Sequence, residues 1–146
     1  MHIQGGLMNL QEAFQELTGF RSTMENELTK VGSIMYDDSN RNERFLYMHY
    51  QEIMSEIDYI MESIEYINKP ILKMGVVNLQ NQKLCLNDFE LKDGDTIEIL
   101  SEDEWQKVDI YKVRGEFRTD FINSIIHLYG RIRLTEKEAR ERISPE

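Results

Sequence analysis

Residues 46–67 read LYMHYQEIMSEIDYIMESIEYI, and their spacing decides the fold. Leu46, Tyr50, Ile53, Ile57, Ile60, Ile64 and Ile67 recur at alternating steps of four and three. A period of 3.5 puts all of these side chains on one helical stripe. The stripe is mostly isoleucine, so it is stiff and apolar and needs a partner.

A matching seam lies upstream. Leu10, Phe14, Leu17, Arg21, Met24, Leu28, Val31 and Met35 repeat the same spacing, and only Arg21 breaks it. An arginine there either carries its charge out to water or pairs with a carboxylate on the facing helix. Asn9 with Glu12 and Asn40 with Glu43 read as capping boxes. Gly19 and Gly32 each weaken the first helix by about 1 kcal/mol relative to alanine. The spacing predicts helices over about 9–36 and 41–68, joined by the polar segment 36–41 into an antiparallel hairpin, a short coiled coil. In that register Met35 lies near Leu46 and Leu10 near Ile67. Pro70 ends the second helix, because the residue before a proline is pushed off helical angles.

After Pro70 the period changes from 3.5 to 2. The domain boundary therefore falls near residue 70, with a helical unit at 1–70 and a β unit at 71–146. Strands are expected at 74–79, 83–86, 96–100, 105–113, 116–122 and 125–134, with turns at 80–82, 93–95, 101–104 and 114–115. Gly130 reads as a bulge or bend. Trp105, Phe117 and Phe121 are expected to carry much of a small core. Thr135 with Glu138 caps a short final helix over 136–143.

Short strands at this density suggest a small closed or nearly closed barrel. The run Leu91-Lys92-Asp93-Gly94-Asp95-Thr96-Ile97-Glu98-Ile99, followed by Glu104-Trp105-Gln106-Lys107-Val108-Asp109-Ile110, resembles an SH3-like barrel. It is also similar to a family of short proteins carried by phages and conjugative elements of Gram-positive bacteria. There a Gly-Asp strand precedes a tryptophan strand, and the domain closes on a glycine followed by an Arg-Ile/Leu segment. The matching pieces here are Gly94-Asp95, Trp105 with Ile110, and Gly130-Arg131-Ile132-Arg133-Leu134. The resemblance spans residues 84–134 and leaves out the hairpin. The family has no assigned active site, so no catalytic residue carries over.

Net charge is −10, with 40% hydrophobic and 30% charged residues, which suits a folded acidic protein. The charge opposes non-specific attraction to nucleic acid or anionic lipid and favours a basic partner. No apolar run is long enough to span a bilayer, and no signal peptide is read at the start. Cys85 is the only cysteine, which excludes an internal disulfide and makes the cytoplasm the expected setting.

The residues offer little for catalysis. His2, His49, His127 and Cys85 share no metal-ligand spacing, and no glycine-rich phosphate loop is present. Cys85 between Leu84 and Leu86 reads as a buried, inert thiol. No enzyme, metal or cofactor is expected.

The expected function is binding. Glu52, Glu56, Asp58, Glu62 and Glu65 read as an acidic helix face, with Tyr47, Met54 and Tyr59 as apolar anchors beside it. Asp93, Asp95, Glu102 and Asp103 extend the acidic surface onto the β unit. The mobile-element resemblance implies a small inhibitor that covers the basic nucleic-acid-binding surface of a host defence nuclease, as anti-CRISPR proteins do. Two alternatives stay open. One is a nucleic-acid-binding or regulatory accessory protein that uses Arg114, Arg118, Arg131 and Arg133. The other is a structural homodimer built through the hairpins.

Overall fold

The computed structural model describes residues 7–31 and 34–143. It is an α+β chain of two units, residues 1–68 and 69–146.

The first unit is a helical hairpin of α1 (Leu10–Val31) and α2 (Arg41–Asn68). Asn9 caps α1: its Oδ1 accepts the Glu12 N–H at 2.8 Å. α1 stops short of the expected residue 36. Residues 34–37 are not helical, because Tyr36 turns back to stack on Tyr47, ring centres 4.1 Å apart. The Asp37 carboxylate then accepts both the N–H and the hydroxyl of Ser39, at 3.0 and 2.6 Å. Those bonds hold its carboxyl below the usual carboxylate range. Asn40 accepts from the N–H groups of Asn42 and Glu43, at 3.0 and 3.1 Å. The Glu43 carboxylate does not return to Asn40 as a capping box requires. It accepts the Asp37 N–H at 3.2 Å and ties the turn instead.

The register differs from expectation. Asn68 Nδ2 donates to Thr18 Oγ1 at 2.7 Å, and Arg21 meets Glu65 at 3.1 Å. Thr18 is therefore level with the end of α2, and Leu10–Leu17 run on for about 12 Å beyond it. Leu10 is 78% exposed and lacks its expected neighbour, whereas Met35, though 96% exposed, lines one shallow groove with Leu46 as expected.

The face of α2 also differs. The covered apolar side chains are Tyr47, Tyr50, Met54, Ile57, Met61, Ile64, Tyr66 and Ile67. Tyr50, Ile57, Ile64 and Ile67 belong to the expected seam. Leu46, Ile53 and Ile60 do not join it; they stay 65%, 54% and 49% exposed. Arg21, in the apolar stripe of α1, pairs with Glu65 on one flank of α2. Tyr47 and Met54 lie on that flank and become part of the hairpin interior.

The second unit is a seven-stranded antiparallel sheet followed by α3 (Glu136–Ile143). Its strands are β1 (Ile71–Gln80), β2 (Lys83–Leu86), β3 (Phe89–Glu90), β4 (Thr96–Ser101), β5 (Glu104–Val113), β6 (Glu116–Thr119) and β7 (Tyr129–Arg133), in the order β3-β2-β1-β7-β4-β5-β6. The sheet is not closed: among the described residues no pairing joins β3 to β6. β3 has only two residues, and α3 is anchored against it. Arg142 donates to the Glu90 carbonyl at 2.6 Å, lies over the Phe89 ring and pairs with Asp95 at 2.7 Å. That covers an edge that would otherwise offer unpaired backbone.

Three hairpin turns use left-handed residue pairs: Asn81-Gln82, Glu102-Asp103 and Arg114-Gly115. This geometry matches the twist of the strands they join. β6 stops at Thr119, earlier than expected, and Asp120 then accepts the Asp109 N–H at 2.9 Å. β7 starts at Tyr129; residues 125–128 form a turn in which the Leu128 N–H reaches the Ile125 carbonyl at 3.0 Å.

The core is aliphatic. Val77, Leu86, Leu91, Ile97, Ile99, Val108, Ile110 and Ile132 are almost fully buried, while Phe117 and Phe121 only pack against the margin. Gly130 is not a bulge. A Cβ there would come within 3.0 Å of Leu86 and 3.1 Å of Ile99, so glycine is what lets the β7 backbone pack against these side chains. The bulge lies instead in β1, between Ile71 and Lys73.

Candidate interaction surfaces

Strand alternation divides the sheet. Ile97 and Ile99 of β4, and Gly130 and Ile132 of β7, face the core. Glu98, Arg131 and Arg133 take the opposite face. The register puts Glu98 directly beside Arg131. Glu98 is 6% exposed and receives Arg131 Nε at 2.5 Å on one oxygen and Arg133 Nε at 2.6 Å on the other. Arg133 also donates to the Lys69 carbonyl at 3.1 Å. Arg131 in turn lies 3.9 Å above the Trp105 ring, so Trp105 belongs to this outer layer rather than to the core.

The expected basic edge therefore does not form. Arg131 and Arg133 sit on an interior strand and are engaged by one buried carboxylate. Arg118 lies on β6, three strand spacings or about 14 Å away. It pairs with Glu116 at 2.9 Å. Arg114 is at the left-handed β5–β6 turn.

The acidic residues of the β unit separate into two kinds. Asp93 accepts the Lys112 N–H at 2.8 Å. Asp95 accepts the Lys92 N–H at 2.6 Å and holds Arg142, with its side chain only 11% exposed. Both stabilise turns and docking of α3. Glu102 and Asp103 are exposed at the tip of the β4–β5 hairpin.

On α2 the five expected acids do not share one face. Asp58, Glu62 and Glu65 follow at steps of four and three, on the flank turned toward Arg21. Glu52 and Glu56 align with Tyr59 and Phe45 on the outer side. All five are exposed. Tyr59 is 72% exposed and remains available to a partner, whereas Tyr47 and Met54 do not.

Cys85 is buried; desolvation pushes its thiol up, and the Glu90 charge adds to the rise. No cluster of three or more metal-ligating side chains converges among the described residues. An open groove of about 820 Å³ runs between the β1–β2 hairpin and β6, lined by Leu79, Leu84, Phe117 and Phe121. Its charged members, Glu116 and Arg118, pair with each other. Among the described residues no helix is long and apolar enough to cross a membrane.

The exposed apolar row Leu46, Ile53 and Ile60 was missed as a surface because its spacing assigned it to the interior. No protein-family model, curated protein or solved structure matches the chain.

Proposed function

We propose that the protein is a non-catalytic binding module whose acidic surface docks on a basic, nucleic-acid-binding surface of another protein. The observation that carries this reading is the unequal engagement of charge. Arg131 and Arg133 of the sheet are tied to the buried Glu98, and Arg142 of α3 to Asp95, while the Arg118–Glu116 pair, the acids of α2 and the Glu102-Asp103 turn lie at the surface. The rest of the binding energy comes from Tyr59, since aromatic anchors dominate interfaces and rim charges mainly steer encounter. α2 is about 42 Å long, enough to lie along a nucleic-acid channel.

The mobile-element resemblance narrows the partner to a nucleic-acid-guided nuclease of host defence and the setting to the cytoplasm. The same proposal reads the open sheet as an SH3-like barrel that gapes between β3 and β6. Both ends of the sheet contribute to one core, Leu84 and Leu86 at one end and Phe117 at the other, and this supports the reading.

A gel-shift assay with mixed DNA and RNA at low salt separates this reading from direct nucleic-acid binding. No shift is expected. A shift that disappears on Arg114→Ala/Arg118→Ala substitution would replace the proposal with the nucleic-acid reading.

A further inference from the structure

We propose that the exposed row on α2 is the seam of a two-fold dimer of this chain, with two α2 helices packed antiparallel about Ile53. Leu46, Ile53 and Ile60 follow at seven-residue steps and stay 65%, 54% and 49% exposed. That step is the repeat of helix-on-helix packing, so the matching occupant is another helix.

The row itself indicates which helix. Between the apolar positions stand His49 and Glu56, four residues before Ile53 and three after it. Read from either end the row is nearly the same. Antiparallel packing about Ile53 puts Leu46 against Ile60 of the second copy, Ile53 against itself, and His49 beside Glu56 of the second copy, twice. Parallel packing would put Glu56 against Glu56. The antiparallel arrangement also opposes the helix dipoles. His49 is already positioned: its ring stands edge-on to Phe45 with centres 4.4 Å apart, and its Nδ1 is 3.6 Å from Glu52. A contact of this kind uses the same patch on both copies and closes at two.

Phe45, Leu46, His49, Ile53, Glu56 and Ile60 are all exposed, so the row is free to be covered by a second copy; a specific interface buries at least about 1,200 Å² in total. The seam takes up Glu56 but leaves Asp58 and Glu62 of the acidic surface. Asp58 and Glu62 stand five and nine residues beyond Ile53, about 140° and 180° around the helix, and stay open in the dimer.

Sedimentation of the full chain up to about 100 µM is the test, since a contact of this size is expected to form at micromolar concentration. Dimer mass is expected, and Ile53→Glu should raise the dissociation constant at least tenfold with unchanged far-ultraviolet circular dichroism. A second variant fixes the geometry. Ile53→Cys should cross-link the dimer on oxidation, with the native Cys85 buried and silent. Tyr59→Cys, about 120° around the helix, should not. A monomer throughout the concentration range overturns the proposal. So does cross-linking through Tyr59→Cys that matches Ile53→Cys.

Discussion

Arg21 of α1 reaches Glu65 of α2, Nη2 to Oε2 at 3.1 Å, and also holds Glu25 one turn along its own helix at 3.0 Å. This pair joins the two helices on the flank of α2 that also carries Tyr47 and Met54. Arg21→Leu should therefore change stability by less than about 1 kcal/mol, because a half-exposed ion pair is worth little. It should also let α2 rotate. The check is thiol labelling of Ile53→Cys in both backgrounds, which should slow in the Arg21→Leu background.

Glu98 is a stronger case. It is buried and neutralises two arginines, so Glu98→Ala leaves Arg131 and Arg133 without their shared carboxylate. Breaking a buried pair on one side costs about 3–5 kcal/mol. Urea unfolding should show a loss of that order, and Trp105 fluorescence should change because Arg131 no longer has a fixed place over the ring.

Gly130→Ala tests the close approach at the sheet centre. The added methyl meets Leu86 and Ile99 at 3.0 and 3.1 Å. Overpacking of this kind costs about 1–3 kcal/mol. Gly94→Ala makes a different comparison. A Cβ there has open space, but a φ of 90° strains it through the backbone.

Glu138 gives a pH dependence. Burial pushes its carboxyl up, but the Thr135 N–H and the Lys69 ammonium outweigh that and hold it below its ordinary 4.5. The unfolded chain then binds the proton more readily than the folded one, so stability falls as pH drops below about 4.5. Glu138→Gln should flatten part of that acid limb in a thermal-melt series from neutral pH downward, leaving the other carboxylates to set the remainder.

The hairpin, the strand alternation and the caps were legible in the sequence because each rests on local spacing. Asn9, Asn40 and Thr135 cap their helices through the predicted residues. The rotation of α2 was not legible. Its two overlapping seams share Tyr50, Ile57, Ile64 and Ile67, and periodicity alone cannot choose between their other members. The inward flank is the one that carries Glu65, the partner of Arg21 in the opposite helix. In the β unit, Phe121, Ile122 and Ile125 imitated strand alternation in a segment that makes turns. Ile122 is in fact 97% exposed. Glu98 alternates outward between Ile97 and Ile99 as a solvent residue would. Only the pairing of β4 with β7 places two arginines on it and buries it. That register also turns Arg131 and Arg133 onto Glu98 and away from the expected basic edge.

The central claim is that exposed acids on α2 compete with nucleic acid for a basic protein surface. The most direct measurement is displacement of labelled DNA from a purified, guide-loaded nuclease of a Gram-positive host, titrated with the wild-type chain and with Asp58→Lys/Glu62→Lys at two salt concentrations. The account predicts displacement by the wild type, weakened by salt and lost in the double reversal. Displacement that is equal for both proteins and indifferent to salt, or none by either, would contradict it.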